Sequence, residues 1–253
     1  MTDFEAERAE IARRLSLNKE FADVSKSWMN HSAKMKHSYL FDWLGIPIIQ
    51  IPQDMYALQE VIYAVKPDLI IETGIARGGS LQLSASLLSM LDLSDYMNLK
   101  PNTGFIAKRK VFGIDIEIRE HAKELISQSF LKSWIETREC DSTDASLIPV
   151  LDALTEKYEK VLVILDSNHT KSHVDKELAL YSKYVSSGSY LIVFDTVIEY
   201  LDSQLPDRSW GPGNGPLNAV NEFLLQNSDY EVDEMISNKL SVSCAPHGYL
   251  KRK

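Results

Sequence analysis

The sequence predicts an α/β fold: a mostly parallel sheet with helices on both faces, an antiparallel C-terminal strand pair and a helical N-terminal extension. Three observations lead there. From Pro67 onward, short apolar runs alternate with stretches of helical period, the rhythm of repeated strand–helix–strand units. One run, VLVILD (161–166), is apolar without interruption until its last residue, which marks a strand covered on both faces. Before Pro67 the chain lacks this alternation and reads as helical, so the expected division is 1–65 for the extension and 66–253 for the sheet domain.

Taken in order, Phe4, Ile11 and Leu15 recur at helical spacing in the first stretch. A mixed segment, SYLFDWLGIPIIQIPQDM, follows, and Pro52 and Asp54 lead into the helix YALQEVIYAV. DLIIETG (68–74) is the first strand and SLQLSASLLSML (80–91) its helix. KVFGIDI (110–116) is the second strand, followed by the helix REHAKELISQSF. SWIETREC (133–140) is the third. Ser142–Thr143–Asp144 then caps ASLIPVLDALTEKY, a helix that tolerates Pro149 only near its start. After VLVILD, the helix HVDKELALYSKYV is stopped by Gly188, and YLIVFD (190–195) is the fifth strand. The loop SWGPGNGP (209–216) precedes the helix LNAVNEFLLQ, and YEVDEM pairs with LSVSCAPHGYLKR. The basic segment 97–110 reads as a solvated loop, with a contact to an acidic substrate or a neighbouring subunit as the alternative.

Composition narrows the function classes. With 44% hydrophobic and 25% charged residues, the chain of 253 is ordinary globular protein. A net charge of -9 argues against a broad nucleic-acid footprint. No apolar run reaches the roughly 18–20 residues of a membrane span. The acidic, amphipathic N-terminus resembles neither a secretory signal nor a transit peptide, so the expected compartment is the cytoplasm. Two cysteines, Cys140 and Cys244, exclude a disulfide framework and give no support to a paired zinc site. The N-terminal amphipathic segment carries enough apolar surface to pack on a second copy, which makes a homo-oligomer an expectation.

In open α/β sheets, ligands bind beyond the carboxyl ends of the strands. All five parallel strands end in or beside an acid: Glu72, Asp115, Asp141, Asp166 and Asp195. Ordinary turn preference explains one or two such acids better than five. The first turn, ETGIARGGS, offers Gly74 for a tight bend, Gly78 and Gly79 for close backbone approach at a helix start, and Ser80 in the first helical turn. The row of acids disfavours a dinucleotide pyrophosphate and suits a ligand of hydroxyls and amines. S-adenosylmethionine is such a ligand. Asp115 fits its ribose, and Cys140, Asp141 and Ser142 lie where the adenine edge belongs. Asp166 and Asp195 offer hard oxygen ligands to Mg²⁺. His169 stands just past a strand, placed either to take a proton from a substrate hydroxyl or as a loop histidine. His173 begins the next helix and reads as structural, with an orienting role as the alternative.

The stretches VFGIDI, LDSNHTKSHVDKELALYSKYVSSGSYLIVFDT and WGPGNGPLNAVNEFL resemble the cephalosporin hydroxylase-like, or rhamnosyl O-methyltransferase, family of S-adenosylmethionine-dependent methyltransferases. The resemblance spans about residues 45–250. It implies the Rossmann-like class I methyltransferase fold and methyl transfer to a sugar hydroxyl of a glycan or glycosylated metabolite, assisted by Mg²⁺ or a similar divalent cation. Residue by residue, it implies Glu72 and Gly74, with Gly78 and Ser80 in the same turn, at the methionine end. It implies Asp115 at the ribose, and Asp141 and Ser142 at the adenine. Asp166 is implied beside the cofactor and as a metal ligand, Asp195 as the second ligand, and His169 as the base. Phe194 departs from the pattern, since many relatives have Glu before the aspartate; Thr196 is the expected substitute ligand, with water as the alternative. Two rivals stay open: a NAD-dependent enzyme of the same sheet class, and a non-catalytic binding or scaffold protein that retains the cofactor site.

Overall fold

Two capped helices open the chain. In α1 (Asp3–Ser16) the Glu5 amide donates to Thr2 Oγ1 and the Thr2 amide donates back to the Glu5 carboxylate, a reciprocal cap. Asn18 caps α2 (Lys19–Lys34) by accepting from the Phe21 amide. The computed structural model describes residues 2–99, 104–204 and 208–253. Of the expected apolar face of α1, Phe4 and Ile11 are exposed, and the buried residue is Ala12.

The mixed segment after α2 is helical only in one 3₁₀ turn (His37–Leu40) before α3 begins. It forms an antiparallel hairpin of β1 (Phe41–Trp43) and β2 (Ile46–Ile48), closed by Leu44 and Gly45, both at positive φ as a tight two-residue turn requires. Pro52 then starts α3 (Pro52–Val65), where its missing N–H costs nothing.

The remaining elements follow the expected alternation: β3 (Leu69–Thr73), α4 (Gly79–Leu99), β4 (Lys110–Asp115), α5 (Glu120–Gln128), β5 (Ile135–Glu139), α6 (Ile148–Thr155), β6 (Val161–Leu165), α7 (Lys171–Tyr181) and β7 (Tyr190–Val193). α8 (Pro216–Gln226), β8 (Tyr230–Val232), α9 (Glu234–Leu240) and β9 (Tyr249–Arg252) complete the chain. One sheet runs β5-β4-β3-β6-β7-β9-β8, parallel from β5 to β7, with β9 antiparallel to both of its neighbours. The chain winds outward from β3 through β4 to β5, then returns to lay β6 on the other side of β3. The crevice between β3 and β6 is therefore the topological switch point, where such sheets bind ligands.

Apolar layers cover both faces. Ile70, Val111 and Ile164 meet α3 and α4 through Leu58, Ile62 and Leu88 on one side. Leu69, Ile71 and Val163 meet α6, α7 and α8 through Leu151, Leu178 and Val220 on the other. Pro149 lies in the first turn of α6, the one place it is tolerated. The C-terminal pair is shorter than YEVDEM and LSVSCAPHGYLKR suggest, because Asp233 caps α9 by accepting from the Ile236 amide. Of the basic segment 97–110, residues 100–103 lie outside the described residues. Arg109 is no solvated loop residue: it is buried, 2.6 Å from Asp92 and 2.8 Å from Asp95. Among the described residues, no helix is long and apolar enough to cross a membrane.

Candidate active site

The site starts from two glycines that let three pieces of chain touch. Gly74 has φ +87°, and a Cβ there would lie 2.0 Å from the Asp166 carbonyl oxygen, so the ends of β3 and β6 are in direct contact. A Cβ on Gly79 would lie 2.3 Å from the Pro47 carbonyl, so the start of α4 presses on the hairpin. Asp115, at the end of β4, braces the turn between them: its Oδ2 accepts from the Ile75 amide at 2.7 Å and the Ala76 amide at 3.2 Å. Its Oδ1 accepts from the Glu117 amide. A carboxylate offers about four lone-pair positions, so Asp115 keeps capacity for a ligand.

Three acids converge at the crevice. Glu72 is 1% exposed; Ser84 donates to its Oε2 at 3.4 Å, and its Oε1 has no partner among the described residues. Burial pushes its pKa up to about 7, against the opposing pull of the Ser80 and Ser84 hydroxyls. Asp166 is held well above the usual carboxylate range, first by burial, then by the charges of Asp195 and Glu72. The Gln50 side chain works the other way, favouring the ionised form of Asp166. Asp195 sits at φ +57°, a left-handed conformation that Asp tolerates better than most residues, and its Oδ2 lies 3.0 Å from His169 Nε2. One donor atom each from Asp166, His169 and Asp195 falls within a 4.8 Å group. Among the described residues, no lysine or arginine pairs with Glu72, Asp166 or Asp195. Buried negative charge without a counterion is unfavourable, and a bound cation relieves it.

Other expected site residues lie apart from this group. Thr196 is fully buried, and its hydroxyl donates to the Pro246 carbonyl at 2.7 Å. Asp141 is exposed and holds the Thr143 amide and hydroxyl, which keep its pKa low. Ser142 turns its hydroxyl inward, 3.0 Å from His173 Nε2. His173 also meets Ser167, which donates to the buried Glu177, while Tyr181 donates to the Ser142 carbonyl. This network ties the loop after β5 to the loop after β6. Gly78 has φ +93° but no neighbour closer than 3.5 Å, so its need for glycine is conformational rather than a close approach.

A family model described as rhamnosyl O-methyltransferase/CmcI matches residues 35–253. The chain belongs to this family. Its curated relatives include rhamnosyl O-methyltransferases of Mycobacterium tuberculosis, 28% identical over 83% of this chain and 77% of theirs, and of Mycobacterium leprae, 26% identical over 83% and 82%. Among solved structures, the CmcI-N160 apo-structure matches 85% of this chain and 76% of its own, with TM-score 0.54 and 19% identity. The CmcI-D160 Mg-SAM structure matches 85% and 77%, with TM-score 0.52 and 18% identity. These likenesses show a shared fold.

In this rhamnosyl O-methyltransferase/CmcI family member, Phe194 faces the core, packed edge-on against Tyr249. The third donor near Asp166 and Asp195 is His169, from the loop after β6 that also carries Asp166. Two neighbours of the site are not apparent in the sequence reading. Gln50 lines the crevice from the hairpin side, and its one visible signal is that it interrupts the apolar run IPIIQI. Trp210 stacks its edge on His169 at 5.5 Å, with Arg208 over its ring. Its signal is a tryptophan inside a turn-rich loop, where no core calls for it.

Proposed function

We propose that the chain transfers a methyl group from S-adenosylmethionine to a sugar hydroxyl, with Mg²⁺ or a similar cation held by Asp166 and Asp195. The observation that carries this reading is the group of Glu72, Asp166 and Asp195 at neighbouring strand ends, with which no lysine or arginine among the described residues forms an ion pair. A pocket of this charge fits cations, here an ammonium and a divalent ion, and repels the pyrophosphate of a dinucleotide. Oxygen donors on a partly buried pair of aspartates suit a hard ion. The family membership and the sugar-modifying names of the mycobacterial relatives support the reaction class and the acceptor. Trp210 stands beside His169, and an indole there is of the kind that packs against sugar rings. We take the setting as cytoplasmic and the acceptor as a glycan precursor or a glycosylated small molecule.

When bound, the donor supplies an electrophilic methyl and the cation acidifies the acceptor hydroxyl. The chain's own residues do the rest. Glu72 and the Gly74 turn hold the methionine end, Asp115 the ribose and the Asp141 loop the adenine. Fixing both reactants at the crevice removes much of the entropy barrier. His169 donates its Nε2–H to Asp195, which leaves Nδ1 as the lone-pair nitrogen that takes the acceptor's proton. A second reading is favoured by the 4.8 Å grouping: His169 is itself the third ligand.

Labelled methyl transfer to rhamnosyl and other glycosides, with and without Mg²⁺, tests the reaction. Transfer to a sugar acceptor is expected, and calorimetry is expected to detect S-adenosylmethionine but not NAD. Binding of NAD alone would overturn the reading. His169→Ala separates the two histidine roles. As a base, its loss lowers kcat by about 10²–10⁴-fold with unchanged Mg²⁺ affinity. As a ligand, its loss weakens Mg²⁺ binding, and added Mg²⁺ restores the rate.

A further inference from the structure

Gln50 lies between the β1–β2 hairpin and α3, in a part of the chain that carries none of the expected site residues. It is 3% exposed. It lines one small cavity together with Gly74, Ser80 and Asp166. Its carbonyl, Oε1, is buried and has no hydrogen-bond donor among the described residues. Buried carbonyls without donors are uncommon because leaving them unmade is costly.

A second acceptor in the same neighbourhood is in the same condition. Glu72 Oε1 is also buried without a partner among the described residues, and Glu72 stands two residues before Gly74, whose backbone touches that of Asp166. The region therefore presents acceptors from three elements: Oε1 of Gln50 after the hairpin, Oε1 of Glu72 in β3, and the Asp166 carboxylate after β6. Ser84 already donates to the other oxygen of Glu72. A primary ammonium, with three N–H donors and one positive charge, matches such a set.

We propose that Gln50 is a specificity residue of the donor subsite, whose side-chain carbonyl accepts from the α-ammonium of the methionine end. The inference rests on the donor reading above. Gln50 selects ligands that carry an amino-acid tail over adenosyl thioethers that lack the amine. A neutral amide does this without adding a further negative charge beside Glu72 and Asp166, where a carboxylate would raise the repulsion.

The test is titration calorimetry with three ligands that all carry a neutral sulfur: S-adenosylhomocysteine, its des-amino analogue and 5′-methylthioadenosine. Gln50→Met keeps the length and removes the carbonyl. It is expected to weaken S-adenosylhomocysteine by about 10–100-fold, the worth of one charge-assisted hydrogen bond. The des-amino analogue and 5′-methylthioadenosine are expected to bind the variant as they bind the wild type. Equal losses for all three ligands, or no loss for S-adenosylhomocysteine, overturn the proposal. If the wild type binds none of the three, the donor reading itself fails, which is a different outcome. Should Gln50→Met not fold, Gln50→Asn carries the same comparison, since it keeps the amide but withdraws it by one methylene. Its selectivity is expected to change in the same direction and by less.

Discussion

Two buried carboxylates lie near opposite ends of the same helix, and the chain treats them in opposite ways. Asp92, late in α4, is fully provided for. It accepts from the Arg109 guanidinium, the Lys108 and Arg109 amides and the Trp134 indole. Glu72, beside the helix start, has a hydroxyl on one oxygen and nothing on the other. Burial raises the pKa of Glu72 to about 7. The difference teaches that a buried acid with all its donors is part of the frame, whereas one left short is waiting for a ligand. Asp54 is intermediate. It is buried, accepts from Ser243, Cys244 and Tyr249, carries no countercharge, and stands at about 6.

The comparison breaks most readily at Asp92. Asp92→Ala leaves Arg109 with Asp95 alone and deprives the Lys108 and Arg109 amides and the Trp134 indole of their acceptor, and is expected to cost about 3–5 kcal/mol in urea denaturation. A loss below about 1 kcal/mol would remove the contrast. Next comes pH. Glu72 and Asp54 have folded pKa values of about 7 and about 6 against ordinary values of 4.5 and 3.8, so the folded state binds more protons between those limits. Their contribution is fully present below about pH 4 and is lost as pH rises through 7. Unliganded protein is expected to lose about 2–4 kcal/mol between pH 5 and pH 8, at roughly 1.4 kcal/mol per unit per group. A stability that rises over that range would overturn the assignment. Glu72→Gln sharpens the contrast further. At pH 8 it is expected to stabilise the unliganded protein by about 1–3 kcal/mol while weakening S-adenosylmethionine by about 10–100-fold. Destabilisation would mean that Glu72 belongs to the frame. Thr196→Val is the smallest change: about 1 kcal/mol of stability for the lost bond to Pro246, with Mg²⁺ stimulation intact. Lost stimulation would place Thr196 in the ligand set.

The parallel strands and their terminal acids are legible in the sequence because both signals are local. A continuous apolar run such as VLVIL states its own burial, and the acid that follows marks the site end of the strand. The hairpin at 41–48 is hidden because its strands are three residues each, too short for a period. Gln50 is hidden with it, since its role depends on contact with a strand over a hundred residues away. The surroundings of Thr196 are hidden too, because the chain turns left-handed at Asp195 and buries the next side chain. The Ser142–His173–Ser167–Glu177 network joins two loops whose proximity follows from strand order, which no single segment declares.

The placement of β9 has a consequence for the order in which the molecule can form. It is made after both β7 and β8, yet it lies between them and hydrogen-bonds to both. Until residue 252 has been made, the edge of β7 stays open, and an open edge invites pairing with another chain. The same segment brings Ser243, Cys244 and Tyr249 to Asp54, so that carboxylate keeps its water until residues 243–249 have been made. Closing the sheet and drying the acid are thus one event. A nascent chain stalled before Tyr249 carries an unfinished sheet and a hydrated Asp54 beneath a pocket whose five parallel strands are already in hand.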